Sequence, residues 1–177
     1  MNGLPMVLDS AAFAQYMQDN NIPQSNIMSR SIGKGQFTTT AGGVRQLTPQ
    51  DVADMAMYGR MNYIGGKHGG QCYGAGTYFD MNGGGNTGYA SGMTINAVRN
   101  PLTAKPIDER TLDTLARNFD RTHPKFARAT GGYNTSSGGG NNNQSIYAVI
   151  LGYNIITDGS ARGYNNVIDR TAIVYRA

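Results

Sequence analysis

The stretch CYGAGTYFDMNGGGNTGYA, residues 72–90, decides the fold. Glycine loses more backbone freedom on folding than any other residue, so a segment this rich in it implies a close approach to the main chain that a Cβ would block. Directly after the glycine turn, GTYFDM (Gly76–Met81) reads as a short strand. Two tyrosines, Tyr78 and Tyr89, stand eleven residues apart around it.

Working outward, SNIMSRSIG (Ser25–Gly33) alternates apolar and polar residues and is expected to be a strand, as is GMTINAVRN (Gly92–Asn100). SIYAVILGYNII (Ser145–Ile156) and NVIDRTAIVYRA (Asn166–Ala177) are the richest in β-branched residues and read as strands, the second closing the chain. Three helices are expected. The first follows an N-cap at Asp9 or Ser10, with Phe13, Tyr16 and Met17 at helical spacing. The second starts at Thr48 with Pro49 in its first turn, and the third is capped by Asp108 and buries Leu112, Leu115, Ala116 and Phe119. The polar run TGGYNTSSGGGNNNQ, 130–144, carries too little apolar surface to offset its ordering entropy and reads as a flexible insertion. Strands and helices without a βαβ rhythm argue for an α+β fold in one domain, with an N-terminal helical segment (1–24) packed on a core of residues 25–177.

Composition narrows the function classes. Charged residues are 15% of the chain and the net charge is +4, with the basic residues scattered, so nucleic-acid binding is permitted but not signalled. No apolar run approaches the roughly 20 residues that span a bilayer, and the N-terminus lacks the basic and apolar regions of a signal peptide. Cys72 is the single cysteine, so no intrachain disulfide forms, and it reads as a small buried thiol. His68, in a glycine-rich loop, reads as solvent-exposed and His123 as a helix-end cap; no Cys/His/Asp spacing suggests a metal.

The pattern aromatic-Gly-x-Gly-x-Tyr-Phe with a second tyrosine eleven residues on resembles the signature of the ADP-ribosyltransferase superfamily, in its poly(ADP-ribose) polymerase-like and bacterial or phage forms. Here it is Tyr73, Gly74, Gly76, Tyr78, Phe79 and Tyr89. IMSRSIGKG resembles the family's first motif, with Arg30 in the catalytic-motif position and Ser31 where glycine is usual. NPLTAKPID resembles the strand-plus-proline segment, and YAVILGYNII…YNNVIDRTAIVY the closing strand pair. The resemblance covers residues 25–177 and implies a split β-sheet core with flanking helices that cleaves NAD as its substrate. Gly74 and Gly76 would admit the dinucleotide, Tyr78 and Tyr89 would sandwich its nicotinamide, Arg30 would hold phosphate or ribose oxygens, and the Ser31 backbone would hold the carboxamide.

The family's usual glutamate is missing. Glu109 is the only glutamate in the chain and lies on the third expected helix; the glutamate slot falls on Tyr164, Asn165 or Asn166, and Asn166, directly before VIDR, is assigned to it. An amide oxygen can accept from a ribose hydroxyl but cannot supply negative charge to a developing cation. The resemblance thus implies an NAD-dependent mono-ADP-ribosyltransferase modifying a protein or nucleic acid of a host, as a phage or bacterial effector in the cytoplasm of the producing or infected cell. The alternative is a catalytically silent form of the same fold acting as a binding or virion-associated structural protein. An NAD glycohydrolase or RNA 2′-phosphotransferase relative is a third reading.

Overall fold

The computed structural model describes residues 6–33, 73–74, 76–81, 92–136, 142–159 and 164–176. The helix expected from Thr48, Cys72, His68 and Tyr89 lie outside the described residues, as does the middle of the 130–144 segment. Eight strands form one mixed sheet: β1 (Met6–Leu8), β2 (Met28–Gly33), β3 (Thr77–Met81), β4 (Gly92–Arg99), β5 (Pro106–Asp108), β6 (Ile155–Thr157), β7 (Tyr164–Val167) and β8 (Ile173–Arg176). Their order is β1-β8-β4-β2-β3-β7-β6-β5, parallel only at the outer pairs β1/β8 and β5/β6.

The centre of this sheet is its weakest seam. Strand β2 pairs with β4 over six residues, Met28–Gly33, but with β3 over only two, Met28↔Met81 and Ser29↔Asp80. The sheet also folds back on itself. Phe79 of β3 and Tyr175 of β8 lie three strand spacings apart, about 14 Å in a flat sheet, yet their ring centroids are 6.0 Å apart. The two halves therefore close on a shared core that includes Met28, Phe79, Ile95, Val167 and Tyr175.

Helices cover the outer faces. Helix α1 (Ser10–Asp19) starts where the Asp9 carboxylate accepts from Ala12 N at 2.8 Å. It buries Phe13 and Met17, one turn apart, against Val98 and Val174. Strand β1, which precedes it, is too short to carry a readable alternation. Helix α2 (Glu109–Thr122) packs Leu112 and Ala116 on the other half of the sheet, with Tyr78, Ile107 and Ile156. It ends at His123, whose ring stacks on Phe119 and whose Nδ1 lies 3.0 Å from the Phe119 carbonyl oxygen. Helix α3 (Pro124–Thr130) has proline in its first turn and stops at Gly131, where φ is +82°.

Two readings of the sequence are corrected. The segment from Ser145 is not a strand but helix α4 (Gln144–Ile150), followed by a turn at Gly152 (φ +96°) and only then by β6. Its buried positions, Gln144, Ser145, Tyr147 and Ala148, follow a helical period, while the β-branched Ile146, Val149 and Ile150 that suggested a strand face outward. Packing against α2 overrides their intrinsic preference. The closing strand is likewise broken: β7 ends at Val167, and a 3₁₀ turn at Arg170–Ala172, in which Asp169 accepts from Thr171 N and Oγ1, re-aims the chain into β8.

The described ends of the 130–144 segment are tied down. Asn134 N donates to Asn143 Oδ1 at 2.7 Å, and Asn143 N donates back to Asn134 O at 3.1 Å. Tyr133 Oη donates to Asp113 at 2.6 Å and Tyr147 Oη to Asp120 at 2.6 Å, pinning this region and α4 to α2.

The α2 cap gives a pH-dependent prediction. Asp108 accepts from Thr111 N and Thr111 Oγ1, and those bonds hold its carboxyl below the usual range. Its contribution is present at neutral pH and is lost as pH falls through the depressed value. Asp108→Ala is expected to lower the melting temperature modestly at pH 7, and thermal melts at successively lower pH should show the gap to the parent closing.

Candidate functional site

The strand order brings the three motif strands side by side: β2 carries Arg30, β3 carries Tyr78 and β7 carries Asn166. Tyr78 and Asn166 are direct cross-strand partners, so their side chains share one face. Phe79 and Asn165, the neighbouring pair, point to the opposite face, where Asn165 Oδ1 accepts from Arg99 Nη2 at 2.6 Å.

Arg30 sits at the seam. Its side chain is fully buried, at 0% exposure, and Nη1 donates to the Tyr78 carbonyl oxygen at 3.3 Å, just past the point where backbone pairing between β2 and β3 stops. The guanidinium thus takes over a main-chain acceptor that the short ladder leaves behind. It also lies near the Tyr175 phenol, whose pKa is pushed up by burial and drawn back in part by the positive charges of Arg170 and Arg30. Ser31 pairs with Thr94 in the β2/β4 ladder.

Tyr78 is 4% exposed, with its ring among the helix-side core residues and its hydroxyl in the glycine turn. The hydroxyl accepts from Tyr73 N at 3.2 Å and donates to the Gly74 carbonyl. Gly74 has φ +86°, a conformation that glycine adopts without strain. Asn166, also fully buried, donates through Nδ2 to Ser145 Oγ at 3.0 Å, and Ser145 Oγ donates to the Tyr73 carbonyl at 2.6 Å. One hydrogen-bonded chain therefore links β7, the first turn of α4 and the glycine turn.

The glycines acquire a specific reason here. A Cβ on Gly76 would lie 2.6 Å from Asn166 Cγ, and one on Gly74 would lie 3.1 Å from Ser145 Oγ and 3.2 Å from the Asn142 carbonyl oxygen. At both positions the close approach is made by the chain's own polar groups. Ser145 is the neighbour of this site that sequence reading missed; the helical period of QSIYAV, read in place of its β-branched content, would have put it on the buried face of a helix.

Arg30 does not share the face of Tyr78 and Asn166: its pairing with Ile95 sets its side chain on the Phe79–Tyr175 side of the sheet, and it meets Tyr78 at the backbone carbonyl. The carboxylate on the same face of β3 as Tyr78 is Asp80, two residues along, which burial and then the charge of Asp158 hold above the usual carboxylate range. Among the described residues no group of three His, Cys, Asp or Glu side chains could hold a metal ion, and no helix is long and apolar enough to cross a membrane. No family model, curated protein or solved structure matches the chain.

Proposed function

We propose that the chain is an NAD-dependent mono-ADP-ribosyltransferase, built on an ADP-ribosyltransferase-like split sheet, that modifies a macromolecular target at a low rate. The observation that carries this reading is the convergence of three motifs, distant in sequence, on adjacent strands, with Tyr78 directly opposite Asn166. The two-residue ladder between β2 and β3 supports the split-sheet architecture.

The residue types suit a dinucleotide. A guanidinium matches pyrophosphate or ribose oxygens through its planar fork, and an amide oxygen accepts from a ribose hydroxyl. NAD supplies the glycosidic bond to be broken; Arg30 would orient it and Asn166 would hold the ribose. Since Arg30 and Asn166 are both fully buried, on opposite faces of the sheet, NAD contact with both requires the β2/β3 seam to open. With no carboxylate at position 166, the charge stabilisation a glutamate gives a developing cation is absent, which sets the low rate.

A second reading, a silent fold serving as a binding or virion-associated protein, is favoured by the hydrogen bonds that tie Asn166 Nδ2 to Ser145 and Ser145 to the Tyr73 carbonyl within the closed structure. Calorimetric titration with NAD separates the two. Saturable binding, weakened at least tenfold or so in Arg30→Lys by loss of the fork, is expected of the transferase. Absence of NAD binding to the parent would leave the silent reading.

A further inference from the structure

We propose that Arg99 heads a second binding pocket, for a small carboxylate with an apolar body, on the face of the sheet opposite Tyr78 and Asn166. A cavity of about 290 Å³ opens there, walled by Ile22, Met81, Pro101, Ala104 and Pro106, with Asn26 and Arg99 as its polar groups. This volume lies at the small end of ligand pockets and suits a compact acid better than a nucleotide. Arg99 lies on the Phe79–Asn165 face of the sheet, opposite the face that Tyr78 and Asn166 share. Arg30 pairs with Ile95, and Arg99 lies four residues further along β4, about 13 Å at the rise of a strand.

The chemistry rests on what Arg99 lacks. Its side chain is partly buried and makes a single hydrogen bond, from Nη2 to the neutral Asn165 Oδ1. Nε is buried without an acceptor, and among the described residues no carboxylate pairs with the guanidinium. Burial alone lowers its pKa, with no opposing acid. Guanidinium does not neutralise itself by losing a proton in proteins, so the site holds a desolvated cation that no carboxylate among the described residues compensates. An incoming carboxylate would meet that charge with matched planar geometry, while its hydrocarbon part would lie on the proline, methionine and alanine walls. Inorganic phosphate meets the charge but gains nothing from those walls.

The test titrates sodium hexanoate into the full chain and follows the methyl NMR signals of Met81 and Ala104, with hexanamide and inorganic phosphate in parallel. Hexanoate is expected to give saturable shifts at both methyls, with hexanamide and phosphate weaker by about tenfold or more, the worth of one charge-assisted hydrogen bond. Arg99→Gln, which keeps a donor for Asn165, should lose hexanoate affinity by a similar factor. Ala104→Met, which fills the cavity from its wall and leaves Arg99 in the chain, should lose it too, and it carries the test if Arg99→Gln does not fold. The proposal is overturned if hexanoate gives no saturable shift, if hexanamide or phosphate binds as tightly, or if either folded variant binds hexanoate as the parent does.

Discussion

Gly76→Ala is expected to cost this protein about 3 kcal/mol, the upper part of the range for overpacking a filled interior. For a chain of this size that corresponds to a melting temperature lower by about 6–12 °C. The reason is local. The added methyl would enter the space of the Asn166 amide, at 2.6 Å from its Cγ, and that amide cannot swing aside without breaking its bond to Ser145. A backbone origin for the loss is separable from this one. In the Asn166→Ala background the obstructing amide is gone, so the same Gly76→Ala change should cost much less there, with a coupling of about 2 kcal/mol. Thermal melts of the four proteins in the cycle measure it. Additive losses would mean that Gly76 is needed for some other reason and that Asn166 does not fill its place.

The largest functional effect is expected from Asn166→Glu. If the cluster cleaves NAD without a carboxylate, placing one directly opposite Tyr78 supplies negative charge to the developing ribosyl cation. Such a group in a water-poor site changes rates by about 100-fold or more, so nicotinamide release should rise by that order. Burial raises a carboxyl pKa, and the charged form is the useful one. The gain should therefore be small at acid pH and grow as pH rises through the elevated pKa. Asn165→Glu is the matched control. It adds the same charge one residue away, but on the opposite face, where Arg99 already donates to residue 165 and would pair with the new carboxylate. Nicotinamide release from Asn165→Glu should stay at the parental level. Equal gains from both variants would point to a general electrostatic effect and remove Asn166 from the proposed role.

How much of this was legible in the sequence depends on what each residue's partner is. Helix α2 was legible because its cap, its buried stripe at Leu112 and Ala116 and its end at His123 are all local signals. The strands around Arg30 and Tyr78 were legible for the same reason, from alternation beside glycine punctuation. Helix α4 was not, since Ile146, Val149 and Ile150 carry a strand preference that only contact with α2 overrules. The break between β7 and β8 was hidden in a continuous apolar run, because the turn depends on Asp169 bonding Thr171 and not on glycine or proline. Within the site, sequence alternation correctly separates the faces of Asn165 and Asn166, but the roles of Gly74 and Gly76 were not readable. Their spacing signals a close approach; that the approaching groups include Asn166 and Ser145, from segments about 70–90 residues away in the chain, is information only tertiary structure holds.

Cleavage of the glycosidic bond of NAD, as proposed, is decided by the fate of doubly labelled NAD. The purified chain is incubated with NAD labelled separately in the nicotinamide and adenine moieties, in the presence of a cell lysate, and both labels are followed over hours. Expected are nicotinamide release slow but above the protein-free control, adenine label accumulating in the macromolecular fraction, and loss of both signals in Arg30→Lys. Nicotinamide released at the protein-free rate, with no adenine label on any macromolecule, would contradict the proposed cleavage.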